Sequence, residues 1–245
     1  MRNNEISKLR LRLLKSRKWR YLRYLHARES LSAVADEVSS ICVCGAGHGI
    51  AEVALALEYP HIKFTLTDII NKSHGYPNYH GAMQIAWEWN VPNLNFSIWD
   101  VLKPAQQRFD MVCSTEMLEH IEDDTAAAAN MREAAELYIY CLVPFADKAT
   151  NENERRSKRA WEQHEHFVCG YDEDRLSALF PDPIHICGAY GPDGRALRSR
   201  LDTLSMEEIQ VEQASLEADA TNDLVDSIPQ TLHDGLGIRI LSRAR

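Results

Sequence analysis

From Ser40 onward the chain alternates short apolar runs with longer stretches that are apolar on one side only. The runs fall at about 41–44, 63–66, 95–98, 111–114 and 138–142, each four or five residues long, the length and composition of buried strands. The stretches between them, 49–58, 81–90 and 126–137, repeat their apolar residues at helical spacing. The last begins behind Asp123, Asp124 and Thr125, a polar start suited to capping a helix. After the fifth run come a charged loop, a helix opened by Asp172 and ended at Pro181, and a sixth strand at 184–188. An acidic helix follows, with Ser205 and Glu208 spaced as a capping box, and then a last strand at 237–242. Strands that alternate with helices predict an α/β protein: a Rossmann-like sheet of seven strands, mostly parallel, with helices on both faces.

The N-terminal segment breaks this pattern. Ile6, Leu9 and Leu13 recur at helical spacing, and Tyr21, Leu22 and Leu25 continue an apolar side after a basic interruption. We therefore expect residues 1–35 to form a basic helical cap, and residues 36–245 a single domain in which the segment at about 190–232 covers the substrate.

Charge sharpens that division. The 245 residues carry a net charge of -9, yet residues 1–28 hold ten Lys or Arg and one Glu, which leaves 17 basic residues against 35 acidic ones elsewhere. Such an arm could contact nucleic acid, an anionic lipid surface or an acidic substrate, or it could pair with the acidic body. The longest apolar stretch, 137–145, has nine residues, well below the roughly 20 that span a bilayer, and the N-terminus lacks an apolar signal core. Five of six cysteines (Cys42, Cys44, Cys113, Cys141 and Cys187) sit in the apolar runs, where a thiol behaves as a small hydrophobe. A reduced, cytoplasmic protein is expected.

The first run leads straight into a glycine loop, Gly45-Ala46-Gly47-His48-Gly49, at the start of a helix. Glycines there permit a tight turn and close approach of a ligand to the backbone. A nicotinamide fingerprint would place its third glycine one position later, where Ile50 stands. Asp68 closes the second run and could accept hydrogen bonds from two ribose hydroxyls, while Asp100, at the end of the third strand, could read an adenine amine. Each alone would be an ordinary turn residue. Ligands in open α/β sheets bind outside the carboxyl ends of the strands, so these positions point to one crevice.

The fourth run continues as Ser114-Thr115-Glu116-Met117-Leu118-Glu119-His120. In this order and spacing, over about residues 36–190, the chain resembles class I S-adenosylmethionine-dependent methyltransferases. The resemblance implies a reversed last strand and S-adenosylmethionine as methyl donor, held by Gly45, Ala46, Gly47, Gly49, Asp68, Ile69, Asp100, Val101 and Ser114. The chain has no Asn or Asp-Pro-Pro-aromatic run after the fourth strand, which argues against methylation of base amino groups. It also lacks the acidic pair of polyamine-forming relatives.

Glu116, Glu119 and His120 would share a face if their stretch were helical. Together with the downstream His164 and His166 they are similar to the ligand run of metal-dependent O-methyltransferases. In those, a Mg²⁺-type ion bound by Glu116, Glu119, His120 and His166 would lower the pKa of the attacked hydroxyl. The same Glu-His pair also occurs in methyltransferases without a metal, and His120 or His166, with Glu116, could equally supply a general base. The expected function is O-methylation of a small-molecule hydroxyl on a sugar, lipid or aromatic metabolite. The alternatives are RNA 2′-O-methylation using the basic arm and a non-catalytic cofactor-binding partner.

Overall fold

A computed structural model describes residues 6–10, 13, 18–70, 75–152, 158–159, 161–162, 165–189 and 237–244. The expected acidic helix at Ser205, the covering segment 190–232 and His164 lie outside the described residues.

Seven strands form one sheet: β1 (Ser40–Cys44), β2 (Lys63–Asp68), β3 (Leu94–Ile98), β4 (Phe109–Thr115), β5 (Ala135–Pro144), β6 (Pro183–Ala189) and β7 (Gly237–Arg243). Their order across the sheet is β3-β2-β1-β4-β5-β7-β6, and β7 runs antiparallel to both of its neighbours. The sequence expectation of seven strands with a reversed last one holds. No strand supplies a complete core alone, so each face is closed by helices. On one face α1 (Lys18–Ser32), α2 (Ile50–Glu58) and α3 (His80–Glu88) cover Ile41, Val43, Phe64, Leu66 and Tyr140. On the other, α4 (Asp124–Ala134) and α5 (Glu173–Leu179) cover Cys42, Cys44, Val112, Ile139 and Cys141.

Local chemistry sets the helix boundaries. Asp123 accepts a hydrogen bond from the Ala126 amide (2.9 Å) and Asp172 from that of Arg175 (2.8 Å), each satisfying an amide that the first helical turn leaves open. α4 ends three residues before the position expected from its alanine-rich pattern. Ala135 pairs with Phe109 of β4, and the Leu137 carbonyl accepts from the Ala244 amide, so sheet pairing takes residues whose own pattern is helical. All six cysteines are free thiols; Cys42, Cys44 and Cys141 are buried, whereas Cys113 and Cys187 are only partly so.

The N-terminal helix is docked by polar groups as well as by Tyr21, Tyr24, Leu25 and Leu31. Glu58, at the end of α2, accepts from Arg10 (2.9 Å), Arg28 (2.8 Å) and the Tyr24 hydroxyl. Arg239 of β7 is buried and reaches Glu29 (2.9 Å), the His26 carbonyl (3.1 Å) and Ser30 Oγ (3.3 Å). α1 is thus tied to α2 through Glu58 and to β7 through Arg239.

Candidate functional site

β1 has β2 on one side and β4 on the other, so the strand order reverses there and a crevice opens at the carboxyl ends. The loop between β1 and α2 lines it. Gly45, Gly47 and Gly49 all have left-handed backbones, with φ of 62°, 54° and 65°. Two of these glycines serve different purposes. A Cβ on Gly49 would lie 2.6 Å from Leu66 and 2.9 Å from Ala82, so its absence lets α2 sit close to β2 and α3. A Cβ on Gly47 would meet nothing within 4 Å, so the space beside it is open.

The loop is clamped to Asp68. The Gly47 amide donates to Asp68 Oδ2 (3.0 Å), the Ile69 amide to Oδ1 (2.8 Å), and the Ala46 amide to the Thr67 carbonyl (3.0 Å). Burial raises the Asp68 pKa, and the two amide bonds oppose that rise. Each oxygen keeps a lone pair for a vicinal diol.

Asp100 stands two residues beyond β3 rather than at its end. It accepts from the Leu102 amide (3.1 Å) and pairs with Lys103 (3.4 Å), so part of its capacity is used in its own turn. Val101 is buried, and its carbonyl accepts from Asn130 (2.8 Å). Ile69 and Ile98, 55% and 49% exposed, stand at the carboxyl ends of the adjacent strands β2 and β3.

At the end of β4 the sequence expectation needs correction. Residues 116–120 are not one helix: only Leu118–His120 form a turn of 3₁₀ helix, and Glu116 has φ 52°. Glu116, Glu119 and His120 therefore share no helical face. Ser114 is fully buried within the sheet, its hydroxyl without a partner. Glu116, held by its amide on the Leu142 carbonyl (2.7 Å), pairs with Arg23 of α1 at 2.9 Å.

Glu119, His120 and His166 do converge, with one potential ligand atom from each lying within 4.8 Å of the others. The two imidazoles meet edge to face at 4.6 Å between centroids. His120 Nδ1 sits 3.2 Å from the Glu165 carbonyl, to which its N–H donates, and this turns Nε2 toward Glu119 Oε1 at 4.0 Å. Glu119 is fully buried and neither of its oxygens accepts a hydrogen bond. Burial first, and Glu116 second, push its carboxyl well above the ordinary range. A buried carboxyl without a donor is costly unless a cation or proton joins it.

Sequence reasoning missed two contributors. Arg23 was submerged in a basic run whose members look alike, and nothing local marks it as the partner of a residue 93 positions away. Tyr171 is buried, its amide donating to the Pro144 carbonyl (2.7 Å), and it anchors the loop that delivers His166.

No family model matches the chain. A stretch of 61 residues is 36% identical to ribosomal RNA small subunit methyltransferase G of Macrococcus caseolyticus, a match that spans 25% of this chain and 24% of that protein. Only about a quarter of that curated relative is therefore covered. Solved structures match far more of the chain at low identity. One is a protein provisionally assigned as a sarcosine dimethylglycine methyltransferase from Galdieria sulphuraria (TM-score 0.60, 10% identical, covering 92% of this chain and 85% of that one). A second is magnesium protoporphyrin IX methyltransferase from Synechocystis, solved with bound S-adenosylhomocysteine (0.56, 10%, 91% and 84%). A third, phosphoethanolamine N-methyltransferase 2 of Haemonchus contortus in complex with S-adenosylmethionine, aligns over 88% of this chain and 52% of its own (0.53, 12%). The chain has the fold of the class I S-adenosylmethionine-dependent methyltransferases. Among the described residues no helix is long and apolar enough to cross a membrane.

Proposed function

We propose that this chain is an S-adenosylmethionine-dependent methyltransferase that methylates a hydroxyl of a small-molecule acceptor. The observation that carries the oxygen chemistry is the convergence of Glu119, His120 and His166 at the end of β4, beside the strand that ends in the glycine loop. The sulfonium supplies an already activated methyl group, so the chain's own task is alignment and proton removal. Gly47 and Asp68 hold the donor, and Ile69 and Ile98 flank its ring. A neutral imidazole of the His120–His166 pair takes the hydroxyl proton as the new C–O bond forms and the C–S bond breaks, and Glu119 stabilises the imidazolium.

The same three residues fit a divalent cation, because a carboxylate oxygen of buried Glu119, whose oxygens accept no hydrogen bond, and one nitrogen from each imidazole lie within 4.8 Å of one another. When bound, such an ion would lower the pKa of the acceptor hydroxyl. Two nitrogen donors suit Mn²⁺, Fe²⁺ or Zn²⁺ better than the Mg²⁺ expected from the sequence, since Mg²⁺ prefers oxygen. Glu116 is spent on Arg23 and stands outside this set.

The local likeness to a ribosomal RNA methyltransferase favours RNA as a second reading. Against it, Arg10, Arg23 and Arg28 of the basic arm are engaged with Glu58 and Glu116 inside the fold. Titration calorimetry should show S-adenosylhomocysteine binding that Asp68→Asn weakens at least about tenfold, a loss of 1.4 kcal/mol. Absence of binding by the unmutated chain would overturn the proposal. Methyl label from S-adenosylmethionine should enter hydroxyl-bearing metabolites; label confined to RNA would replace the small-molecule reading, and no label at all would leave a cofactor-binding partner protein. Chelation followed by Mn²⁺ restoration separates metal assistance from a bare imidazole base.

A further inference from the structure

The resemblance in sequence groups four ligands, Glu116, Glu119, His120 and His166, yet only three of them gather. The fourth is held elsewhere. Glu116 has a left-handed backbone, which a side-chain-bearing residue rarely adopts, and its carboxylate is turned to the Arg23 guanidinium at 2.9 Å. Arg23 comes from α1, the helical cap, and α1 is anchored independently through Glu58 and Arg239. Its guanidinium can therefore stay on Glu116 without carrying the whole docking of the helix. Glu116 stands three residues before Glu119, just ahead of the turn Leu118–His120 that carries both Glu119 and His120.

We infer that Arg23 is a positioning residue that controls cation binding at the Glu119–His120–His166 cluster by withholding Glu116 as a further ligand. The inference rests on the metal reading of that cluster. Arg23 and a divalent cation compete for one carboxylate, so seating the cation with four protein ligands requires Glu116 to leave the helical cap. By linkage the effect is reciprocal: whatever factor Arg23 costs the cation, the cation costs the Arg23–Glu116 contact. The cap and the ion-binding state of the site are then coupled, and the covering helix is tightest when the cluster is empty.

The test uses the full chain, Mn²⁺ alone as probe, and calorimetry or the electron paramagnetic resonance of free Mn²⁺. Arg23→Gln should tighten Mn²⁺ binding about tenfold, within the usual span of coupling between two sites. Arg23→Lys, which keeps an ammonium on Glu116, should return the affinity to that of the unmutated chain. In a Glu116→Gln background the gain from Arg23→Gln should vanish, because the carboxylate that it releases is gone. Hydrogen exchange over residues 18–32 should quicken when Mn²⁺ is added to the unmutated chain and not to Glu116→Gln. S-Adenosylhomocysteine affinity, unchanged in all four proteins, reports that each is folded. Mn²⁺ binding that ignores Arg23, or a gain that persists without Glu116, overturns this proposal alone. If neither the unmutated chain nor Arg23→Gln takes up Mn²⁺, the metal reading falls and this inference with it.

Discussion

Replacing Gly47 and Gly49 separately by alanine tests whether the glycine loop is a ligand site or only a tight turn. Both residues are left-handed, at φ 54° and 65°, so a Cβ costs each about 1–2 kcal/mol of backbone strain. About 0.4–1 kcal/mol of that returns through the stiffer unfolded chain. At Gly47 nothing lies within 4 Å of the added methyl, so the net loss of stability should be about 1 kcal/mol. At Gly49 the methyl would stand 2.6 Å from Leu66 and 2.9 Å from Ala82, within the seam between α2, β2 and α3. Overpacking of that kind adds about 1–3 kcal/mol, for a total of about 2–4 kcal/mol. Urea denaturation should rank the two variants accordingly. Calorimetry with S-adenosylhomocysteine should rank them the other way where both are folded, because the Gly47 methyl occupies open crevice and the Gly49 methyl points into the core. A tenfold or greater loss of affinity is expected for Gly47→Ala, about 1.4 kcal/mol or more. If Gly47→Ala binds within about twofold of the unmutated chain, the cofactor does not lie over this loop and the site is misplaced.

Two further predictions concern the docking of the helical cap. Burial first, and the neighbouring Arg239 second, hold the His26 pKa down at about 3. The unfolded chain, with an ordinary pKa near 6.5, therefore binds more protons between these values, so stability is full above about pH 6.5 and falls as the pH drops toward 3; at pH 5 the loss from this residue is about 2 kcal/mol. Denaturation midpoints at pH 7 and pH 5 should differ by less in His26→Gln; an equal difference would remove His26 as the cause. Arg239→Met should cost about 2–3 kcal/mol by leaving the His26 carbonyl, Ser30 and Glu29 without their donor, discounted because Glu29 is partly in water. It should also flatten the same pH dependence, since one of the two causes that depress His26 is gone, and stability within about 0.5 kcal/mol of the unmutated chain would refute the role.

What the sequence made legible was what local periodicity and turn chemistry encode. The apolar runs predicted all seven strands to within a few residues, most plainly β1 and β5, which are buried over most of their length and read as nearly continuous apolar sequence. The glycine loop was legible for a similar reason: no other residue takes three left-handed positions in five. The end of α4 was not, since Ala135 to Leu137 favour helix by themselves and become strand only through β4 and β7. The grouping at the candidate site was read partly for the wrong reason. Glu116, Glu119 and His120 would have shared a face only if their stretch were helical, whereas Glu119 and His120 meet His166 through a loop. That loop is fixed by backbone bonds, the Phe167 amide on the Glu119 carbonyl (2.8 Å) and the Tyr171 amide on the Pro144 carbonyl (2.7 Å). Backbone groups carry no residue identity, so no motif could display them. The positions of His120 and His166 relative to each other thus depend on how residues 165–171 return to the end of β5. For the same reason a change at buried Tyr171, whose amide holds that return on the Pro144 carbonyl, would be felt at the cluster before it was felt at Gly47 or Asp68.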